Sequence, residues 1–216
     1  EAGKRAALDA LRERGYDLDR AAFDDLYATG RRETKRETGG TAASHNRHVY
    51  FKRGLDRRLG EPDVAGALAA GDAYWNGYLA EMSLCDGVEA VLDALDAAGT
   101  DVAVVTNLTT RVQLRKLVRL GIDDRIDLLV TSEEVGREKP SALPFTAALA
   151  QLDRRPSEAL AVGDNAETDV AGANAVGIDS ALFVADGDAP ADAELSEEQR
   201  PDRRLDALAD LTEVAA

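Results

Sequence analysis

Residues 160–169 read LAVGDNAETD. The apolar run of strand type from Ala159 to Val162 stops at Gly163. Three carboxylates, Asp164, Glu167 and Asp169, follow within seven residues. A helical pattern then begins, with Val170, Ala173 and Val176 on one face. Strand, glycine, acid, helix is the order in which an open parallel α/β sheet presents polar groups at its carboxyl edge. Oxygen ligands at a rigid strand end suit a hard cation such as Mg²⁺, which takes one or two protein carboxylates and keeps several waters. The competing reading is a strand that ends in a solvated acidic turn.

The same grammar recurs on both sides of this stretch. A helix is expected over Val88–Ala98, closed by Gly99, and a β-branched run, Val102–Val105, stops at Thr106-Asn107. A helix over Thr110–Leu120 follows, with Val112, Leu117 and Leu120 inward and Gly121 closing it. Next come a strand over Ile126–Val130, a loop over Thr131–Pro140, a helix over Leu143–Leu152 and, beyond the opening stretch, a strand over Ser180–Val184. Strands alternating with helices imply right-handed crossovers and a parallel sheet with helices on both faces. Asp186–Pro201 reads as a mobile acidic surface loop, and Arg203–Ala216 as a short strand and a last helix.

Residues 4–80 read as helices only. Apolar stripes fall at Ala7, Leu8, Leu11; at Phe23, Leu26, Tyr27; at Phe51, Leu55, Leu59; and at Val64, Leu68, Trp75, Tyr78, Leu79. Most of the aromatic residues lie here, as a small helical bundle requires. The organisation is therefore a helical domain over residues 1–80 and an α/β domain over 81–216. His45 and His48 open the third helix and read as packed or exposed structural histidines.

Composition narrows the class. No apolar run approaches the ~20 residues of a membrane span, and the single cysteine, Cys85, offers neither a disulfide nor a cysteine metal site. A soluble, cytoplasmic protein is expected. Asp plus Glu number 41 against 26 Lys plus Arg, a formal charge of −15. Such a surface repels nucleic acid and acidic lipid, and it resembles the acidic, lysine-poor surfaces of proteins from highly saline cytoplasm. Lysines are scarce, which makes each one more informative than each aspartate.

Three strand ends carry polar groups suited to a phosphoryl group. Thr106 and Asn107 offer a hydroxyl and an amide beside backbone N–H groups at a helix start, although both are also good helix N-caps. Lys139, in VGREKPSALPF, stands before Pro140, which fixes the local backbone. A held ammonium can neutralise a phosphate oxygen or keep an acid ionised. The third strand end carries Asp164, with Asp169 five residues on.

In these motifs the chain resembles the haloacid dehalogenase-like hydrolase superfamily over residues 84–184. Thr106-Asn107 looks like its second motif, Glu138-Lys139-Pro140 its third, and GDNAETD at 163–169 its fourth. Residues 1–80 are similar to the helical cap that the family inserts after its first strand. The resemblance implies a Rossmann-like core with a mobile helical cap, and a Mg²⁺-dependent phosphatase acting on a small phosphorylated metabolite, a sugar phosphate or nucleoside monophosphate. It makes Asp164 a metal ligand, and it has Asp169 act through a metal-bound water or Lys139. Thr106 and Asn107 become phosphate ligands, and Lys139 the tie between nucleophile and phosphate. Gly163-Asp164 favours the phosphatase branch over 2-haloacid dehalogenases, which carry a serine–asparagine pattern there.

The family's first motif, an apolar strand ending D-x-D ahead of the cap, has no counterpart before the first helix. The resemblance places that strand mid-sheet, between the strands ending at Asn107 and Gly163. The expectation is therefore a natural protein longer by roughly fifteen to twenty residues. Its aspartate would attack phosphorus and form an aspartyl phosphate. The alternatives are a metal-free dehalogenase, a phosphonate-cleaving relative, or a non-catalytic phosphate-binding relic. A receiver-like phosphoacceptor fits less well, because it has no cap.

Overall fold

The structure, a computed structural model, describes residues 1–184 and 190–214. The chain divides into two compact units, residues 1–83 with 107–121, and residues 84–106 with 122–216.

The first unit is helical. Helices α1 (Ala2–Glu13), α2 (Arg20–Thr38), α3 (Arg47–Leu59) and α4 (Val64–Ala80) are joined by α6 (Thr110–Leu120). Asp19 caps α2 by accepting from Ala22 N. Asn46 caps α3, accepting from His48 N and Val49 N, and Gly60 ends it at φ 78°. Leu11, Phe23, Tyr50, Phe51 and Leu55 are fully buried in one core. Close helix approach depends on glycine. A Cβ added to Gly54 would lie 2.5 Å from Leu26 O, and one added to Gly30 would overlap the Tyr50 carbonyl.

The fourth apolar stripe is corrected here. Val64 and Leu68 are 74% and 57% exposed, and Leu59 of the third stripe is 44% exposed. The buried face of α4 is made instead of Gly66, Ala67, Ala70, Gly71, Trp75 and Leu79. Small residues let α4 lie close to its neighbours: a Cβ on Gly71 would overlap the His48 ring, and one on Gly77 would meet Ala6. That gain in contact fixes the rotation of α4 and turns Val64 and Leu68 outward. α6 groups with these helices. Arg119 donates to Leu79 O and Ala80 O, both at 3.0 Å, satisfying the last carbonyls of α4. Arg115 reaches Asn76 at 2.7 Å.

The second unit is α/β. Its elements are α5 (Val88–Ala98), β1 (Ala103–Thr106), β2 (Leu128–Thr131), α7 (Ser132–Val135), α8 (Ala142–Leu152), β3 (Leu160–Gly163), α9 (Ala171–Asn174), β4 (Asp179–Phe183), β5 (Arg203–Leu205) and α10 (Leu211–Val214). All strand pairs are parallel. β1 pairs with β2, with Thr106 opposite Thr131, while β3, β4 and β5 form a separate sheet in that order. β1 and β3 are each paired on one side only among the described residues. α8 packs on β1 and β2, and Phe145 of α8 joins Ala173 and Ile178 in a buried cluster. This is the Rossmann-like α/β class with an added helical unit that the sequence leads one to expect.

Residues 186–189 of the expected acidic loop lie outside the described residues. The part from 190 to 201 is anchored, contrary to expectation. Asn174 Nδ2 donates to Glu198 O and Arg200 O at 2.9 Å, and Leu195 is buried. Asp202 accepts from Ser180 N at 2.8 Å, which fixes β5 beside β4. Among the described residues no helix is long and apolar enough to cross a membrane.

Candidate active site

The carboxyl end of β3 is shaped by one side chain that folds back. Asn165 accepts from Glu167 N at 2.9 Å and Thr168 N at 3.0 Å, and so starts the next turn. That turn, Ala166–Val170, is π-helical before it continues into α9. The wider turn carries Asp169 back over the strand end. Its Oδ2 accepts from Asn165 N at 3.1 Å, and its Oδ1 lies 3.3 Å from Thr168 Oγ1. Gly163 is glycine for this reason: a Cβ there would stand 2.5 Å from Asp169 Oδ2.

Lys139 arrives from the other side of this edge. α7 ends at Gly136, whose φ of 77° turns the chain, and Lys139 lies between α7 and α8. Its Nζ is 2.7 Å from Asp169 Oδ1 and donates to Val105 O at 2.7 Å. Both ionic side chains are largely buried, at 14% and 13% exposure. Lys139 thus ties the end of β1 to the turn after β3. Thr106, the next residue after Val105, is the last residue of β1 and is half-buried.

Asp164 stands at the end of β3, exposed, with no hydrogen bond or ion pair among the described residues. Asn107 follows Thr106 in the chain and opens the segment that groups with the helical unit. Neither Thr106 nor Asn107 caps α6; that position is Thr109. The structure therefore brings together Lys139, Asp169 and the end of β1, and places Asp164 at the tip of β3.

Among the described residues no three His, Cys, Asp or Glu side chains gather into a metal cluster. The donors present nevertheless fit magnesium. Asp164 is an exposed carboxylate on a rigid strand end, and magnesium accepts one or two protein carboxylates with water completing its shell. Asp169 is committed to Lys139 and two donors of its own turn.

Sequence reasoning missed Asn165 and the Val105 carbonyl. The signal for Asn165 was present, since asparagine is a favoured N-cap and sits between the strand and the helical pattern. A backbone carbonyl leaves no trace in residue type. His48 is the structural histidine expected, with Nε2 3.0 Å from Asp72 Oδ1.

Comparison with known proteins identifies the family. A family model described as "Haloacid dehalogenase-like hydrolase" matches residues 59–183. The ribulose-1,5-bisphosphate 5-phosphatase of Halopiger xanaduensis is 50% identical over 219 aligned positions, covering 100% of this chain and 92% of that protein. The glyceraldehyde 3-phosphate phosphatase of Methanopyrus kandleri is 33% identical, covering 82% of this chain and 73% of that protein. The crystal structure of a 2-haloacid dehalogenase from Pseudomonas syringae shares the fold at a TM-score of 0.75 and 24% identity, over 99% of this chain and 89% of that one. A parallel α/β edge that holds a lysine–aspartate pair beside a strand-end aspartate, together with these likenesses, shows that the chain belongs to the haloacid dehalogenase-like hydrolase family.

Proposed function

We propose that this hydrolase is a Mg²⁺-dependent phosphatase that removes a phosphoryl group from a small phosphorylated metabolite, a sugar bisphosphate. Phosphoric monoester hydrolysis is the level at which its similarity to named phosphatases is strongest. The bisphosphate follows the name of the Halopiger relative, which is half identical along the whole chain.

The observation that carries the reading is Lys139, buried and held at 2.7 Å by both Asp169 and Val105 O. An ammonium fixed in this way is preorganised to meet negative charge that develops on transferring phosphoryl oxygens. Asp169 positions it, and Asn165 and Gly163 position Asp169. Thr106 and Asn107 supply a hydroxyl and an amide donor at the end of β1 for the same oxygens. Asp164 would hold magnesium, which supplies charge neutralisation and orientation for an in-line displacement. The reading carries with it an attacking aspartate, an aspartyl phosphate and its hydrolysis by water. The helical unit is proposed as the substrate-selecting cap.

The test is phosphate release from sugar phosphates, sugar bisphosphates and nucleoside monophosphates, with Mg²⁺ or with EDTA, and halide release from 2-haloacids in parallel. Mg²⁺-dependent release of phosphate is expected, with no halide. Halide release without metal, or no turnover of any ester, would overturn the reading.

A further inference from the structure

Two helices of the helical unit, α4 and α6, present apolar side chains to the outside. On α4 the exposed positions Val64, Leu68, Asp72, Asn76 and Ala80 recur every fourth residue and form one stripe. On α6 the exposed positions Arg111, Leu114 and Val118 recur at spacings of three and four. Leu114 and Val118 are 52% and 64% exposed, as unusual for their type as Val64 and Leu68.

The two stripes lie side by side. Arg115 donates to Asn76 Oδ1 at 2.7 Å, and Arg119 to the carbonyls of Leu79 and Ala80. Between the helices runs a groove of about 520 Å³, lined by Leu79, Leu114 and Val118 with Asn76, Arg115 and Arg119. These bonds fall on the last turn of α4, ~12–18 Å along the helix from Leu68 and Val64. The first turns of α4 thus continue the groove as an uncovered apolar stripe. Contiguous exposed apolar surface of this kind, rimmed by polar groups, marks an interaction site.

Charge indicates what covers it. α6 carries Arg111, Arg115, Lys116 and Arg119 and no acidic residue. The exposed α4 stripe carries one charge, Asp72, whose side chain stays 57% exposed beside His48. One stripe is apolar and basic, the other apolar and acidic. Such a surface is complementary to itself. A two-fold rotation sets the α4 stripe of one copy on the α6 stripe of the other, and the reverse, which closes the assembly at two copies. At a formal charge of −15, two copies repel wherever acidic surface meets acidic surface. A contact between copies needs a basic stripe, and α6 supplies it.

We propose that the α4–α6 surface is the interface of a two-fold homodimer. Val64 and Leu68 of one copy pack on Leu114 and Val118 of the other, and Asp72 meets Arg111 across the axis.

The experiment is sedimentation velocity of the full chain over a concentration series in ~0.1 M KCl, where charge pairs are least screened. The wild type should sediment as a dimer. Leu68→Glu and Val118→Glu each place a charge in the apolar contact twice and should raise the dimer Kd at least about 100-fold. Both side chains are exposed, and melting curves check that each variant is folded. Arg111→Glu and Asp72→Arg should each raise Kd about tenfold, and the double variant should recover the wild-type value. A wild type still monomeric at ~100 µM would leave this surface to a different partner and overturn the proposal. Dimerisation unaltered in both Leu68→Glu and Val118→Glu would overturn it as well. A double variant weaker than either single one would contradict the two-fold pairing.

Discussion

Asp169 gathers the Lys139 ammonium, the Asn165 N–H and the Thr168 hydroxyl on one carboxylate. Removing its charge leaves Lys139 buried without a counter-ion, which typically costs about 3–5 kcal/mol. Asp169→Asn should therefore lower stability by roughly 3 kcal/mol and depress kcat more than it raises KM; wild-type melting and kcat would show that the pair matters to neither. Gly163→Ala should have a similar effect on kcat by pushing Asp169 off its place, and structure determination of that variant would show the displaced carboxylate. His45 tests pH. Its pKa is held down to about 4, by burial first and then by Lys35, Arg47 and Arg31, against an ordinary 6.5. Between those values the unfolded chain binds the extra proton, so its contribution to stability is complete above pH 6.5 and is lost as pH falls toward 4. Denaturant midpoints of His45→Gln should fall less than those of the wild type across that window; parallel curves would contradict this. At this scale Lys139 was legible because lysine is scarce and Pro140 adjoins it.

At the scale of elements, glycine and alanine decide how the helices meet. Gly30 of α2 and Gly54 of α3 place backbone against backbone, and α4 presents Ala67, Ala70 and Gly71 inward. Gly30→Ala should destabilise by about 1–3 kcal/mol through overpacking against the Tyr50 carbonyl. An unchanged melting temperature would mean the helices can separate at no cost. The hydrophobic stripes of α1 and α2 were read correctly, because large side chains face the core there. That of α4 was misread because the eye follows Val64 and Leu68, whereas close packing is carried by the smallest residues. Apart from α7 (Ser132–Val135), a short helix inside the stretch read as a loop over Thr131–Pro140, the α/β elements were legible to within two residues, since Gly99, Gly121 and the β-branched runs mark helix ends and strands locally. The π-helical turn at 166–170 was not, because its signal is the return of Asp169 to Asn165 N.

For the whole molecule, a charge of −15 on 216 residues implies self-repulsion that salt relieves. Melting in ~2 M KCl should exceed melting in ~0.1 M KCl by about 5 °C or more, equivalent to roughly 1–2 kcal/mol. A melting temperature independent of salt would show that the acidic surface carries no stability penalty. The central claim is that the edge formed by β1 and β3 is a magnesium-assisted phosphoryl-transfer site, with Asp164 as the metal's protein ligand. The most direct measurement is phosphate release from a sugar bisphosphate against Mg²⁺ concentration, for the wild type and Asp164→Asn. The account predicts saturable Mg²⁺ activation in the wild type and a loss of at least about 100-fold in the variant, with its melting temperature preserved. A variant that responds to Mg²⁺ as the wild type does would contradict it.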